Sequence, residues 1–256
     1  EVVFDNVWFR YKPDTPVLKG VSSRIEPGER VAVVGATGSG KSTTIKLLNR
    51  SYDIERGSIQ VGGVDVRQWD LRALRRHIGV VLQDVFLFSG DVRANLALGD
   101  PTVPLERIEE AARIANADAF IRRLPEGYAA HVRERGSNFS GGQRQLLSLA
   151  RVLAYQPQIL VMDEATSSID SETEALIQDA LEKVMRNRTC LLIAHRLSTI
   201  RNADRIIVLH RGEVREVGSH AELMEKGGIY HRLYQLQYER EELQLVAQET
   251  ALKVNA

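Results

Sequence analysis

The stretch that decides the fold is Arg30-Val-Ala-Val-Val34 running straight into Gly35-Ala36-Thr37-Gly38-Ser39-Gly40-Lys41-Ser42-Thr43. A short apolar strand, a turn rich in glycine and a helix-like run from Ser42 to Arg50 follow one another without a gap, the order of an α/β unit. The glycine, four residues and Gly-Lys-Ser match the P-loop pattern. Glycine is needed there because the backbone must fold tightly enough for successive N–H groups to face phosphate oxygens, an approach that a Cβ would block. Lys41 offers a mobile positive charge, Ser42 a hydroxyl suited to Mg²⁺, and the N-terminus of the following helix its dipole.

Outward from this unit the pattern is strand-rich on one side and mixed on the other. Residues 1–30 alternate like strands around Val3, Val7 and Phe9, with turn signals at Lys12-Pro13-Asp14 and Pro27-Gly28-Glu29. Residues 71–155 are mostly helix-patterned, with Leu105, Ile108, Ala111, Ala112 and Ala115 at helical spacing and a second pattern from Gly141 to Tyr155. An apolar strand is predicted at Ile78 to Leu82, and three further core strands at Gln158 to Met162, Thr189 to Ala194 and Arg205 to Leu209. The alternation predicts an α/β fold: a P-loop NTPase core with a mainly parallel sheet, an N-terminal antiparallel β subdomain, and a helical insertion at about 84–150. Residues 1–235 are read as one domain and 236–256 as a C-terminal helical extension.

Composition narrows the function. The 34 Lys and Arg balance 34 Asp and Glu, which removes the usual electrostatic reason for a nucleic-acid partner. The single cysteine excludes an internal disulfide, and Cys190-Leu-Leu-Ile-Ala194, the longest apolar run, is far short of the roughly 20 residues that span a bilayer. The opening Glu1-Val-Val-Phe has neither an initiator Met nor a leader pattern, and is read as a cut from a longer polypeptide.

The second half of the chemistry comes where Gln158-Ile-Leu-Val-Met162 ends in Asp163-Glu164. A carboxylate at the C-terminal end of a parallel strand lies beside the phosphate site in this class of sheet. Asp163 is therefore a candidate for holding Mg²⁺, and Glu164 for polarising an attacking water as general base.

With these features in place the sequence resembles the nucleotide-binding domains of ATP-binding cassette (ABC) transporters over about residues 1–235. Phe139-Ser140-Gly141-Gly142-Gln143 resembles the signature motif, with Phe139 where the family usually has Leu. Ser140 and the Gly141 and Gly142 amides form an anion site at a helix start. The resemblance implies that this site caps the γ-phosphate held by a second domain, so that two ATP molecules are sandwiched in a head-to-tail dimer. It further implies that Tyr11 stacks on adenine, and that Gln83 is the Q-loop glutamine meeting Mg²⁺ and the transmembrane contact. Ser168-Ile169-Asp170 then crosses the dimer as the D-loop, and His195 is the switch histidine on the γ-phosphate. Nucleotide contact extends on this basis along the whole loop, Gly35, Ala36, Thr37, Gly38, Ser39, Gly40, Lys41, Ser42 and Thr43, and to Gln143.

Two more segments, Glu134-Arg135-Gly136 and Phe88-Ser89-Gly90-Asp91-Val92-Arg93-Ala94-Asn95, resemble exporters whose membrane and ATPase parts share one chain. The resemblance then implies a domain at the cytoplasmic face of a membrane, with Glu134 and Arg135 against the transmembrane domains. An ATPase subunit of an ABC importer, or an ABC ATPase acting on nucleic acid or ribosomes, stays open as an alternative. In the tail, residues 230–252 are read as a helix with Leu236, Leu243, Ala247 and Ala251 near one stripe, interrupted by Arg240.

Overall fold

The central strand of the molecule is the one that precedes the glycine-rich loop. In the computed structural model, which describes residues 1–82, 85–163, 171–186, 188–194 and 197–236, a six-stranded sheet runs β12-β11-β3-β10-β9-β6. Its members are β3 (Arg30–Val34), β6 (Ile78–Val81), β9 (Ile159–Asp163), β10 (Thr189–Ile193), β11 (Arg205–His210) and β12 (Glu213–Gly218). All neighbours are parallel except β12, which pairs antiparallel with β11 at one edge. A second sheet, antiparallel and ordered β2-β1-β4-β5, holds β1 (Val2–Lys12), β2 (Thr15–Ile25), β4 (Arg56–Val61) and β5 (Val64–Asp65). The expected mainly parallel core and N-terminal antiparallel sheet are both present.

The pleat explains why the core strands read as unbroken apolar runs. Successive side chains point to opposite faces, and both faces are covered. Val31, Val33, Ile159, Val161, Leu191, Ile193, Ile207 and Leu209 share one core with β1, β2, β4 and helix α1 (Lys41–Leu48). The alternate residues face the other way: Leu160, Met162, Cys190 and Leu192 join one cluster, Ala32, Val34, Ile206 and Val208 another.

Between β4 and β9 lie α2 (Leu71–His77), a two-stranded ribbon of β7 (Gly90–Asp91) and β8 (His131–Val132), and helices α3 (Val92–Leu96), α4 (Leu105–Ile114), α5 (Asp118–Arg123) and α6 (Gly141–Leu153). The stripe of α4 buries Ile108, Ala111 and Ala112 against the same cluster as Leu146, Leu147, Leu149, Ala150 and Leu153 of α6. Helices α7 (Ser171–Met185), α8 (Leu197–Arg201) and α9 (His220–Glu225) complete the described α-helical elements, with a further helix at 229–236. Among the described residues no helix is long and apolar enough to cross a membrane. Tail positions Leu243, Ala247, Ala251 and Arg240 lie outside the described residues; Leu236, at their edge, is exposed.

Two helices are shorter than the sequence pattern predicts, for the same reason. Helix α1 ends at Leu48 rather than Arg50 because Arg50 adopts φ 49°, and α6 ends at Leu153 rather than Tyr155 ahead of Gln156 at φ 50°. A left-handed residue ends a helix whichever side chain it carries, although glycine does so at least cost.

Cys190 lies fully buried in β10 between β3 and β9. Burial pushes its thiol pKa up to about 12, which leaves almost no thiolate at neutral pH. A disulfide reagent at pH 8 is expected to leave the native chain unlabelled and to label one thiol per chain in denaturant. Stoichiometric labelling of the native chain within minutes would contradict this placement.

Candidate functional site

Register builds the site. Val33 lies opposite Ile193, Ile193 opposite Asp163, and Met162 opposite Val81. The chain therefore leaves β3, β10, β9 and β6 at one common edge of the sheet. That edge carries Gly35 after β3, Ala194 after β10 and Asp163 at the end of β9.

The loop between β3 and α1 is set by close approach at one end and openness at the other. A Cβ on Gly35 would sit 2.2 Å from the carbonyl oxygen of Leu209 in β11, so only glycine passes there. Gly38, at φ +79°, has nothing among the described residues within 4 Å of the Cβ position, and Ala36 and Thr37 beside it are exposed. The loop is cross-braced: Ser39 N–H donates to Ala36 O (3.1 Å), and Gly212 N–H donates to Ser39 O (3.1 Å). Among the described residues the buried Ser39 hydroxyl has no hydrogen-bond partner. Gly40, in the left-handed region, opens α1 with no side-chain cap, so the first N–H groups of the helix are left for another acceptor.

Lys41 is buried, and its Nζ donates to Gly35 O (2.7 Å) and Ala36 O (3.2 Å) across the loop. Burial holds its pKa below the ordinary lysine value, and the charge of Asp163 opposes that shift. A phosphate would give this ammonium the anionic partner that two carbonyls do not. Next to it the Ser42 hydroxyl donates to Asp163 Oδ2 at 3.2 Å, a contact between residues 121 positions apart. One hydroxyl and one carboxylate side by side at the phosphate cradle are the hard oxygen donors that Mg²⁺ takes together with phosphate oxygens and water. These residues fit both a triphosphate and its metal.

Tyr11 stands at the exposed end of β1, its hydroxyl 3.2 Å from the Thr43 hydroxyl. Its ring meets Phe9 edge-on at 4.8 Å and Tyr52 edge-on at 5.2 Å. Sequence reasoning missed Tyr52, because nothing local in Arg50-Ser-Tyr-Asp53 marks it as a neighbour of β1.

At the start of α6, Ser140 Oγ accepts from Gln143 N–H (3.1 Å) while Gln143 Oε1 accepts from Ser140 N–H (3.0 Å), a reciprocal capping box. The box occupies the Ser140 amide and the Gln143 carbonyl, so the anion-binding capacity of this helix start rests on the Gly141 and Gly142 amides and the Ser140 hydroxyl proton. Gln83, Glu164, Asp170 and His195 lie outside the described residues, as do Ser168 and Ile169.

The two segments singled out around the ribbon come together. Glu134 and Arg135 are exposed on a 3₁₀ turn (Glu134–Gly136), and a Cβ on Gly136 would lie 2.6 Å from Leu87. Leu87 is buried, but its neighbours Phe86 and Phe88 are half-exposed and touch edge-on at 5.0 Å. Arg151, on α6 and without a signal in the sequence pattern, holds this segment from below. Its guanidinium donates to Phe86 O (2.8 Å), Asn95 O (2.9 Å) and Asn95 Oδ1 (3.0 Å). Buried Asn95 in turn donates to Phe88 O and accepts from Phe88 N–H, both at 2.8 Å. Thus α6, whose first turn is the Ser140 segment, and a half-exposed aromatic pair form one hydrogen-bonded unit.

Comparison with known proteins agrees with this architecture. The family model described as ABC transporter matches residues 18–167. Over 237 residues the chain is 47% identical to the putative multidrug export ATP-binding/permease protein YgaD of Bacillus subtilis (strain 168), covering 92% of this chain and 41% of that protein. It is 49% identical over 239 residues to the leukotoxin translocation ATP-binding protein LktB of Mannheimia haemolytica, covering 93% of this chain and 34% of LktB. A bacterial Atm1-family ABC exporter solved with ATP bound superposes with a TM-score of 0.85 at 42% identity, over 92% of this chain and 41% of that one. The chain belongs to the ABC transporter family and is an ATPase domain of it. It spans less than half the length of these relatives.

Proposed function

We propose that this domain binds MgATP, dimerises on it head to tail, and hydrolyses it to drive export of a substrate through transmembrane domains at the cytoplasmic face of a membrane. The observation that carries this reading is the Ser42–Asp163 hydrogen bond, which joins the phosphate loop to the acidic end of β9. Lys41 binds the β- and γ-phosphates, and the amides of Gly35 to Thr43 with the helix dipole hold the remaining charge. Ser42, Asp163 and Gln83 would hold Mg²⁺, which when bound neutralises phosphate charge and orients the γ-phosphate. Glu164 takes the proton of the attacking water, and His195 stabilises charge on the departing phosphoryl oxygens.

Ser140, Gly141 and Gly142 serve the ATP of the opposite domain, with Gln143 keeping that helix start in shape and Asp170 crossing the same interface. The exposed Phe86 and Phe88 beside Glu134 and Arg135 supply an apolar patch with a charged rim, the makeup of a protein-docking surface. The export sense of the reading is supported by relatives named for multidrug export and leukotoxin translocation.

Phosphate release from ATP by the purified chain tests the reading. Turnover is expected in Mg²⁺, loss of it in excess EDTA, and recovery on adding Mg²⁺ back. Hydrolysis indifferent to EDTA would reject the roles given to Ser42 and Asp163.

A further inference from the structure

The exposed aromatic at the end of β1 is unusual in being held from several sides. Tyr11 and Tyr52 are 45% and 47% exposed, yet their rings form a T-shaped pair, centroids 5.2 Å apart at 85°. Buried Phe9 touches both, meeting Tyr11 at 4.8 Å and 89° and Tyr52 at 5.7 Å and 57°. The Tyr11 hydroxyl is anchored on Thr43, and the Lys46 ammonium lies 5.7 Å from the Tyr11 ring centroid.

The backbone that carries Tyr52 is fixed as well. Ser51 N–H donates to Lys46 O at 2.7 Å, and left-handed Arg50 reaches Asp53 Oδ1 (3.1 Å) and Trp69 O (3.3 Å). Glu55 N–H donates to Trp8 O at 2.9 Å, and Arg10 Nε donates to the Glu55 carboxylate at 2.8 Å, tying this turn to β1. A ring exposed on a strand end would otherwise sample several rotamers, each lost on binding at an entropic cost.

From this geometry we infer that Tyr52 is a positioning residue for nucleotide binding: its ring, perpendicular to that of Tyr11, fixes the Tyr11 ring in the one orientation that stacks on a purine. The inference rests on the reading of Tyr11 as the adenine platform. It assigns Tyr52 to base recognition and not to the phosphates, because its ring contacts lie on the Tyr11 and Phe9 side of the loop. Edge-to-face contact contributes modestly, so the effect expected for Tyr52→Ala is about three- to tenfold weaker ATP binding.

The test is equilibrium binding of MgATP and of Mg-tripolyphosphate to the purified 256-residue chain and its Tyr52→Ala, Tyr52→Phe and Tyr11→Ala variants. The expected result is weaker ATP binding by Tyr52→Ala and Tyr11→Ala, near wild-type ATP binding by Tyr52→Phe, and unchanged tripolyphosphate binding throughout. If Tyr11→Ala weakens ATP while Tyr52→Ala does not, the inference fails and the adenine platform stands. If Tyr11→Ala binds ATP like wild type, the platform reading itself fails. Equal weakening of ATP and tripolyphosphate in Tyr52→Ala would make the ring a support of the fold and overturn the inference. A Tyr52→Phe variant as weak as Tyr52→Ala would overturn it too, since the hydroxyl and not the ring contact would then matter.

Discussion

Replacing Glu164 by Gln is expected to leave MgATP bound while lowering turnover by about 10² to 10⁴, the scale on which a positioned general base acts. On the proposed function, two adjacent carboxylates divide the labour. Asp163 closes β9 in register with Ile193 and accepts the Ser42 hydroxyl, which on the proposed function commits it to the phosphate and metal side of the site. The next residue is the nearest carboxylate in sequence left to take a proton from water. Gln keeps the shape of Glu and its capacity to accept a hydrogen bond through oxygen, but it cannot take that proton at neutral pH. ATP affinity measured by equilibrium dialysis should therefore stay within a few-fold of wild type, and single-turnover phosphate release should collapse. Asp163→Asn is expected to differ in kind, with Mg²⁺-dependent ATP binding itself impaired. A Glu164→Gln chain that hydrolyses ATP at the wild-type rate would remove Glu164 from the chemistry.

How far the site could be read from the sequence depended on how local its determinants are. The strand-loop-helix around Gly35 to Ser42 was legible because each residue's role is set by its immediate neighbours: glycines for close approach and left-handed backbone, a lysine at the helix start. The helix start at Ser140 was legible for the same reason, since a capping box is a four-residue event. Core strands were legible because both faces are buried and their runs are apolar without a break.

What stayed hidden depends on contacts between distant segments. Arg151 reads as one more cation on an amphipathic helix, and only the fold shows three of its N–H groups spent on Phe86 and Asn95. Glu216, on the edge strand β12, carries no mark of burial in the sequence. In the fold it is buried and accepts the Ile229 (2.7 Å) and Tyr230 (3.0 Å) amides, capping the 229–236 helix, and a Cβ on Gly228 would strike its carboxylate at 2.1 Å. Tyr52 likewise gains its meaning only from β1. The helix ends were overrun because Arg50 and Gln156 are left-handed without being glycine, a strain the local sequence does not announce.

A mixture of Ser140→Arg and Lys41→Ala chains is expected to hydrolyse ATP when neither variant does so appreciably alone. In a two-fold, head-to-tail dimer each ATP lies between the Lys41 loop of one chain and the Ser140 helix start of the other. Lys41→Ala removes the buried ammonium that now donates to Gly35 and Ala36 and would donate to phosphate. Ser140→Arg removes the cap of α6, which costs about 1 kcal/mol of helix stability, and puts a long side chain where the partner's γ-phosphate would lie. Each pure variant carries one lesion in both of its composite sites. The mixed dimer carries both lesions in one site and none in the other. With random pairing and independent sites, roughly a quarter of the wild-type rate should return in an equimolar mixture. Differently tagged chains allow the mixed dimer to be captured and its phosphate release measured directly. A mixed dimer so captured and found as inactive as its parents would contradict a complementary intact site. Photocrosslinking of ATP to Ser140 in a chain held monomeric would be equally decisive against the shared arrangement, because it would place the loop and the helix start of one chain around the same nucleotide.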